Sequence, residues 1–366
     1  MDSKNCVAGN RGLQNTSPAR TPAEKHCAYL MMFVTFCKQT LRLSNSVRKL
    51  PQSYGCWGVT LDEAEIERLA GGPPRLALND IVNHPRLAEA RAVFVDRLLN
   101  LYSGDPYTVR LLIESGRFLV YLIASILDAG VDPARRETWL TIARLKKEMS
   151  LFGLASDRHI DTLIARLCSA GFMDRKPAEQ DRRVRILKPT EKLKAHYRDW
   201  LAAHIAPLAV LYPEHDYGAV MNPDSPFHAL HRQVSVSFLP FAASQLLSLQ
   251  DSMLFFNHAA GAVIQAELIR TATLAPGYPD AAVPYADIGK RFGVSRTHVR
   301  QLLIAAEAAG LVRLHARGGP RVQILPQQWA SYDRGVAVGM YVHDLVYVAT
   351  ERALQPSSER PSLAVA

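Results

Sequence analysis

The sequence has little of what several protein classes require. Its 366 residues include only five cysteines and no Cys-x-x-Cys pair, which argues against a disulfide scaffold or a zinc module and favours a reducing cytoplasm. No apolar run approaches the ~20 residues of a membrane-spanning helix. The longest early run, at 29–37, lacks the small-residue cleavage site of a secretory signal. We therefore expect a cytoplasmic protein without membrane contact.

Motifs of the common enzyme classes are also absent. The chain has no Gly-x-Gly-x-x-Gly fingerprint, no phosphate-binding P-loop, no His-Glu-x-x-His pair and no Gly-x-Ser-x-Gly elbow. His26, Cys27 and Cys37 form only a weak metal-ligand set, because no second pair completes it. We accordingly predict no enzymatic activity, no cofactor and no metal site.

Positive charge is concentrated in two stretches of the chain. The net charge is +9; residues 131–200 carry 16 Lys and Arg against 10 Asp and Glu, and residues 281–325 carry 7 against 2. The rest of the chain has a slight acidic excess. Locally basic surfaces attract polyanions, so the distribution favours nucleic acid as a partner, although a basic surface also serves solubility alone.

Composition divides the chain into a tail and two helical halves. Residues 1–60 are rich in Asn, Ser, Gly and Pro and are predicted to be disordered or irregular. Helical periodicity predicts a first domain over 61–212 and a second over 227–354, separated by a Pro-rich linker at 213–226. Residues 355–366 are expected to form a loose tail.

The two halves contain an internal repeat. Residues 156–173 align with 295–312 at a shift of 139, and the identities include a serine, a histidine, a leucine and an Ala-Gly pair. The similarity continues from 183–187 to 321–325 at a shift of 138. Chance similarity of two amphipathic helices explains the apolar spacing but not the continuation through the glycine and the following strand. We therefore predict a tandem duplication.

Each copy has the pattern of a winged helix-turn-helix module. In the second copy, Gly293 makes a tight turn, Ser295 is placed to cap the next helix and Gly310 is placed to end it. Strands at 311–315 and 321–325 follow, joined by a basic loop. The predicted fold class is mostly α with small β-hairpin wings, in which two winged helix-turn-helix modules with flanking helices form a pseudo-two-fold tandem repeat.

Helical spacing identifies candidate DNA-reading side chains in the second copy. Val299, Leu302 and Leu303 are expected to face inward, and arginine and glutamine on the opposite face are able to pair with guanine and adenine. The predicted DNA-contacting residues of this copy are Ser295, Arg296, Thr297, His298, Arg300, Gln301, Arg317 and Arg321.

The first copy presents a less favourable face to DNA. Its two carboxylates, Asp157 and Asp161, are repelled by phosphate; we expect them either to recognise the amino group of cytosine or to pair with Arg158 and Arg166. Basic residues of the hairpin compensate, and the two copies are expected to read different sequences. The predicted DNA-contacting residues of this copy are Ser156, Asp157, Arg158, Asp161, Thr162, Arg166, Lys176, Asp181, Arg182, Arg183 and Arg185.

The hairpin of the first copy resembles the wing of MarR-type transcriptional regulators. The Asp-x-Arg of that wing matches Asp181 and Arg183, and the Thr-x-Lys that follows it matches Thr190 and Lys192. The leucine and the glycine that flank Thr-x-Lys in the family are replaced here by Pro and Leu. The resemblance implies that Arg183 enters the minor groove and that Asp181 orients it.

The extent of the resemblance differs between the halves. It covers about residues 107–210 well, and residues 227–350 only as a degraded copy without the Asp-x-Arg and Thr-x-Lys elements. Members of the family bind palindromic operators as dimers whose terminal helices form the interface. A chain with two copies is thus similar to such a dimer fused covalently, and it is expected to act as a monomeric pseudo-dimer or as a homodimer.

Three functions remain open on the sequence alone. The first is a DNA-binding transcriptional regulator, expected to be a repressor, with double-stranded DNA as its partner. The second is a DNA-binding protein similar to plasmid replication initiators, which also carry tandem winged modules and would melt an origin. The third is a protein-interaction scaffold whose winged helices no longer contact DNA.

A small-molecule effector is also considered. His228, His231 and His258 lie near the aromatic pair Phe255 and Phe256 in the sequence of the second half, and they are candidates for the border of an effector pocket between helices. Histidines in such positions are more often satisfied core or surface residues, and the sequence does not identify an effector.

Overall fold

The computed structural model describes most of the chain after the N-terminal segment. The described residues are 63–104, 106–113, 117–273, 280–315 and 321–355. The predicted irregular segment at 1–60, the tail beyond Gln355, the weak metal-ligand set around His26 and the wing residue Arg317 lie outside these residues.

The first half is a series of helices interrupted by one hairpin. Its strands, β1 (Met173–Pro177) and β2 (Arg185–Pro189), pair antiparallel. The helices are α1 (Glu63–Ala70), α2 (Leu78–Val82), α3 (Leu87–Leu101), α4 (Pro106–Leu112), α5 (Arg117–Ala129), α6 (Ile142–Met149), α7 (Asp157–Ser169) and α8 (Glu191–Leu211), with a 3-10 turn at Arg136–Thr138.

The second half begins with a short helix and ends with a long one. Its sheet has the strand order β3-β5-β4, and both strand pairs are antiparallel. The helices are α9 (Gly218–Met221), α10 (Phe227–Ser248), α11 (Gln250–Phe256), α12 (Gly261–Thr273), α13 (Tyr285–Arg291), α14 (Arg296–Ala308) and α15 (Pro326–Leu354). The strands are β3 (Asp280–Ala282), β4 (Val312–Leu314) and β5 (Arg321–Ile324).

The order of helices and hairpin from α3 to α8 is repeated from α10 to α15, except that strand β3 in the second half stands where the first half has the 3-10 turn. In each series three helices precede a helix pair, the pair is followed by an antiparallel hairpin, and a long helix comes last. The packing between the halves is reciprocal, because α3 packs on α12 and α5 packs on α10. The two long helices α8 and α15 also pack against each other. The prediction of a mostly helical chain with small hairpins is confirmed.

The hydrophobic core is continuous through both halves. Tyr121 of α5 and Tyr347 of α15, for example, are buried in the same cluster. The predicted linker at 213–226 contains α9 and contributes to this core through Tyr217, whose hydroxyl donates a hydrogen bond to Asp344 of α15. Among the described residues, the buried core therefore continues from the first half through the linker into the second half, and no solvent-exposed gap divides it into two cores.

Two helices that the sequence predicts as continuous are divided. Helical periodicity in the sequence predicts one helix at about 251–274 and another at about 106–129. The first prediction is wrong, because α11 and α12 are separate elements. At the break Ala260 has a φ of +56°, and a Cβ on Gly261 would lie 1.9 Å from the carbonyl oxygen of Phe255. The chain therefore turns back sharply between the two helices. The expected helix at 106–129 likewise contains α4 and α5.

Candidate nucleic-acid interface

The helix pair α13 and α14 is joined by a tight four-residue turn. Tyr285, Ile288 and Phe292 anchor α13 in the core. The backbone N–H of Val294 donates to the carbonyl of Gly289 at 2.9 Å. A Cβ on Gly289 would lie only 2.6 Å from the Val294 carbonyl oxygen, so glycine permits this close approach.

The predicted cap and the predicted inner face of α14 are both confirmed. The Oγ of Ser295 accepts a hydrogen bond from the backbone N–H of His298 at 3.0 Å, which satisfies one of the free donors of the first turn. Val299, Leu302 and Leu303 are fully buried. Burial of these three side chains fixes the rotation of α14 about its own axis and so determines which side chains face solvent.

An exposed polar face occupies the first two turns of α14. We call it the α14 face, and it consists of Arg296, Thr297, Arg300 and Gln301. Within the described part of the chain, neither arginine of this face has an ion pair. Spacings of one, four and five residues keep the four side chains on one side of a helix. The α14 face therefore presents two cations, an amide and a hydroxyl to solvent.

His298 differs from its neighbours on α14. It is half-buried, and its Nε2 donates a hydrogen bond to the carbonyl of Ala259 at 2.8 Å. Its ring also lies 6.2 Å from the ring of His258. The side chain is thus directed at the turn between α11 and α12, where it ties α14 to the rest of the second half.

The hairpin β4-β5 carries further positive charge close to α14 in the sequence. Arg313 and Arg321 are exposed on the two strands, and Arg317 lies in the undescribed loop between them. The Oε1 of Glu307 accepts a hydrogen bond from the backbone N–H of Leu314 at 2.7 Å. This contact joins the end of α14 to β4, so the helix and the hairpin are held together.

The helix pair α6 and α7 repeats this arrangement with a longer turn. The Oγ of Ser156 accepts from the backbone N–H of His159 at 3.3 Å, and Ile160, Leu163 and Leu167 are buried. The inner face of α7 therefore matches that of α14. The remaining candidates on α7 are all exposed, and they are Asp157, Arg158, Asp161, Thr162 and Arg166.

A lysine that the sequence did not single out neutralises the carboxylates of α7. The Nζ of Lys146, on α6, lies 2.8 Å from Oδ2 of Asp161 and 3.9 Å from Oδ2 of Asp157. The expected pairing with Arg158 and Arg166 is not found. Those two arginines have no ion pair within the described residues, so they remain available to an external anion.

The hairpin β1-β2 is shaped by Asp181. Its Oδ1 accepts a hydrogen bond from the backbone N–H of Arg183 at 3.1 Å, and its Oδ2 lies 3.2 Å from Nη2 of Arg136. The aspartate therefore fixes the backbone at the hairpin tip, and its ion pair is with Arg136, which the sequence did not single out. The basic candidates of the hairpin are exposed, namely Lys176, Arg182, Arg183 and Arg185.

The two remaining positions of the MarR-like motif hold the fold together. The hydroxyl of Thr190 donates to the carbonyl of Gly171 at 2.8 Å. The Nζ of Lys192 donates to the carbonyl of Ala170 at 3.3 Å and lies 4.1 Å from the centre of the Phe172 ring. Both side chains connect the start of α8 to the end of α7.

The three candidate effector histidines have different surroundings among the described residues. His231 lines a cavity between helices of both halves. The ring of His228 donates to the carbonyl of Asn222 at 2.9 Å, and that of His258 donates to the carbonyl of Leu254 at 2.7 Å. Both rings therefore bond to nearby backbone, while Nδ1 of His228 is buried without a hydrogen-bond partner among the described residues.

Other kinds of site have no counterpart in the described residues. No three His, Cys, Asp or Glu side chains among them are grouped to hold a metal ion. None of the helices described combines the length and the apolarity needed to cross a bilayer. Comparison of the chain with family profiles, with curated proteins and with solved structures found no match.

Proposed function

We propose that the chain is a sequence-specific DNA-binding transcriptional regulator, acting as a repressor. It binds duplex DNA through two winged helix-turn-helix modules, α6-α7-β1-β2 and α13-α14-β4-β5, in a pseudo-two-fold tandem repeat. The observation that carries the proposal is the α14 face, whose arginines are exposed and form no ion pair with any other described residue. We further propose that the chain is related to MarR-type regulators, that it is located in the cytoplasm and that it catalyses no reaction.

The chemistry of the α14 face suits base recognition. An α-helix fits the major groove, where arginine pairs bidentately with guanine and glutamine with adenine. Arg300 and Gln301 are neighbours on this face, so together they can discriminate two adjacent bases. Arg321 on β5 then contacts a phosphate or the minor groove.

The repeated order of elements supports simultaneous binding of both modules to one DNA duplex. The reciprocal packing of α3 on α12 and of α5 on α10 is what a fused dimer requires. In dimeric winged and helix-turn-helix proteins, two recognition helices enter major grooves about one helical turn, ~34 Å, apart. We propose that α7 and α14 do the same on one duplex.

The two modules are not equivalent readers. The α7 surface carries carboxylates neutralised by Lys146, whereas the α14 face carries no acid. We propose that α14 supplies most base recognition, and that α7 and its hairpin contribute phosphate contacts through Arg158, Arg166 and Arg183. The operator would then have two dissimilar halves.

A second function is favoured by the same asymmetry. A helix face with carboxylates, even ones neutralised by Lys146, gains less from phosphate, and the first module would then serve as a protein-interaction surface. A charge-reversing change on α7 alone separates the two: loss of DNA affinity supports a DNA contact, and unchanged affinity supports a scaffold.

Duplex-binding measurements test the proposal. Fluorescence anisotropy with random-sequence duplexes at two salt concentrations is expected to give binding that weakens steeply as salt rises. Arg300→Ala should relax base preference by about 1–3 kcal/mol, and Arg321→Ala should weaken binding to all sequences evenly. Arg68→Ala, an exposed charge-matched change on α1, is the control and should have no effect. Absence of duplex binding at low salt would refute the proposal.

A further inference from the structure

An exposed isoleucine continues a row of polar side chains on α14. Ile304 is 36% exposed, and it follows Thr297 by seven residues and Gln301 by three. Residues spaced by three, four and seven lie on one side of a helix, so these three side chains form a single row. The row faces away from the core, because the buried side chains of α14 lie on the opposite side of the helix.

The contacts that stabilise the fold do not account for the position of Ile304. Large apolar side chains with comparable exposure among the described residues all lie outside α7 and α14, and they are Leu151, Met221, Leu247 and Leu354. Single exposed apolar residues are common on protein surfaces, so exposure alone carries no function. Ile304, however, is adjacent on the helix surface to Arg300 and Gln301, four and three residues earlier, and therefore continues the α14 face.

The helix surface around Ile304 leaves room for a close approach by another molecule. Ala308, one turn further along α14, is exposed and has only a methyl group as its side chain. The carboxylate of Glu307 accepts a hydrogen bond from the backbone N–H of Leu314 and is thereby held against the hairpin β4-β5. A duplex that contacts the α14 face can therefore also reach the isoleucine side chain.

We propose that Ile304 contacts the C5-methyl group of a thymine in the half of the operator that α14 occupies. Thymine presents this methyl group in the major groove, and apolar side chains recognise it by direct contact. The thymine lies next to the bases that Arg300 and Gln301 read, because Ile304 borders both residues on the helix. The inference rests on the proposed DNA-binding function, and it adds a base that no hydrogen bond specifies.

The first module has a smaller side chain at the same position. The shift of 139 residues that relates the modules pairs Ile304 with Ala165 of α7, which is also exposed. The alanine side chain ends at Cβ, two bonds short of the Cδ1 atom of isoleucine. At the same depth in the groove it does not reach the methyl group, so the required thymine is confined to the α14 half of the operator.

Replacement of thymine by deoxyuridine tests the contact, because it removes the methyl group and retains the base pairing. The probe is the duplex that the full chain selects from random DNA. Each thymine is replaced in turn in the half whose preference Arg300→Ala erases. One replacement should weaken binding about fourfold, the ratio expected for the loss of one buried methyl group. Sequence-selective binding that none of these replacements weakens would overturn the proposal.

A double-mutant comparison assigns the methyl contact to Ile304. Ile304→Ala should weaken binding of the thymine duplex at least about fourfold, and deoxyuridine should then cost nothing further, because both changes remove the same contact. The salt dependence of binding should stay unchanged, since an apolar contact releases no counterions. If deoxyuridine weakens binding to Ile304→Ala as much as to the unmodified chain, another residue makes the contact and the proposal is wrong.

Leu354→Ala is the matched control for loss of an exposed apolar side chain. Leu354 is 50% exposed and is the last residue of α15, a helix whose first residue follows the hairpin β4-β5. This variant should keep both the affinity and the discrimination between thymine and deoxyuridine. An equal loss of discrimination in Leu354→Ala and Ile304→Ala would overturn the proposal.

Ala165→Ile tests the comparison between the modules. Selection with this variant should enrich a thymine at a new position in the α7 half, while the α14 half stays the same. An unchanged α7 half would overturn the assignment of this asymmetry to position 165 and leave the contact of Ile304 in place.

Failure of the inference is distinguishable from failure of the proposed function. If no duplex binds at low salt, the proposed DNA-binding function fails, and the thymine contact fails with it. If duplexes bind with a sequence preference that Ile304→Ala does not alter, the DNA-binding function stands and only the thymine contact is wrong.

Discussion

Lys146 donates a hydrogen bond to Asp161 across the first helix pair, with its Nζ atom 2.8 Å from Oδ2 of the carboxylate. When α6 is aligned with α13, the position of Lys146 corresponds to Gly289. The turn after α13 has four residues and leaves no room for a side chain at Gly289, whereas the turn after α6 has seven. The longer turn makes space for a lysine that neutralises the carboxylates of α7.

The ion pair between Lys146 and Asp161 predicts that substitutions of the two residues change DNA affinity in opposite directions. Asp161→Ala should strengthen DNA binding, because Lys146 becomes free to contact DNA. The dependence of the binding constant on salt concentration should become steeper by the amount expected for about one additional phosphate contact. Lys146→Ala should weaken binding, because both carboxylates then face phosphate without compensation. Anisotropy titrations at several salt concentrations measure both effects.

The stability of the same variants is the control. The carboxylate of Asp161 is half exposed, and an ion pair of this kind contributes at most about 1 kcal/mol to the free energy of unfolding. Changes of the same sign in DNA affinity for Asp161→Ala and Lys146→Ala would contradict a role of α7 at the interface.

The tight turn of the second half predicts a position that tolerates no side chain. Gly289→Ala should lower the free energy of unfolding by about 1–3 kcal/mol, because its Cβ meets the backbone oxygen of Val294 rather than a flexible side chain. Urea unfolding measures the change. Lys146→Ala, at the aligned position, should cost less than about 1 kcal/mol; equal losses at the two positions would contradict the difference in turn geometry.

Much of the helix-pair geometry follows from local sequence. The spacing of Val299, Leu302 and Leu303 predicts the buried face of α14, and Ser156 and Ser295 act as the caps that the sequence indicates. These features depend on neighbours within one or two helical turns, so a single sequence contains the necessary information.

Features that depend on distant contacts were not predictable in the same way. The break between α11 and α12 occurs where Ala260 donates to Ile113, a residue far away in the chain. The partner of Asp161 lies on a different helix, and Asp181 pairs with Arg136 of a preceding turn. The cavity exists only because helices of both halves pack around it, so no local pattern indicates it.

The contacts of Asp181 at the hairpin tip of the first module predict that two substitutions of this residue weaken DNA binding to different degrees. Asp181→Ala removes both the acceptor for the Arg183 N–H and the ion pair with Arg136, and it should weaken DNA binding by loosening the tip. Asp181→Asn retains an oxygen acceptor for the N–H and should keep most of the affinity. Anisotropy with one duplex compares them; equal losses would show that the ion pair, not the backbone contact, matters.

The buried histidines predict a loss of stability in mild acid. Burial lowers the pKa of His196 and of His204 to about 4 and that of His231 to about 3, from 6.5. Below pH 6.5 the unfolded chain binds protons that the folded chain does not, so the free energy of unfolding falls as pH falls. Between about pH 7 and pH 5 we expect a loss of at least about 2 kcal/mol.

Urea unfolding across this pH range measures that loss. His231→Leu removes one of the three groups and should flatten the dependence while leaving the folded structure in place. Among the described residues its Nε2 has no partner to lose, and its Nδ1 makes only a long contact of 3.5 Å with the Oγ of Ser235. Two results would contradict the claim that the buried imidazoles are neutral: a free energy of unfolding that is constant between about pH 7 and pH 5, or a pH dependence in His231→Leu as steep as in the unmodified protein.

Selection of bound fragments from random duplex DNA, read by sequencing, tests the central claim most directly. Two modules of unequal chemistry on one chain predict a bipartite site whose halves differ in sequence and lie about one helical turn apart. Arg300→Ala should erase preference in one half only, because Arg300 lies on the α14 face. Enrichment of a single short element, of two identical halves, or of no sequence at all would contradict the account.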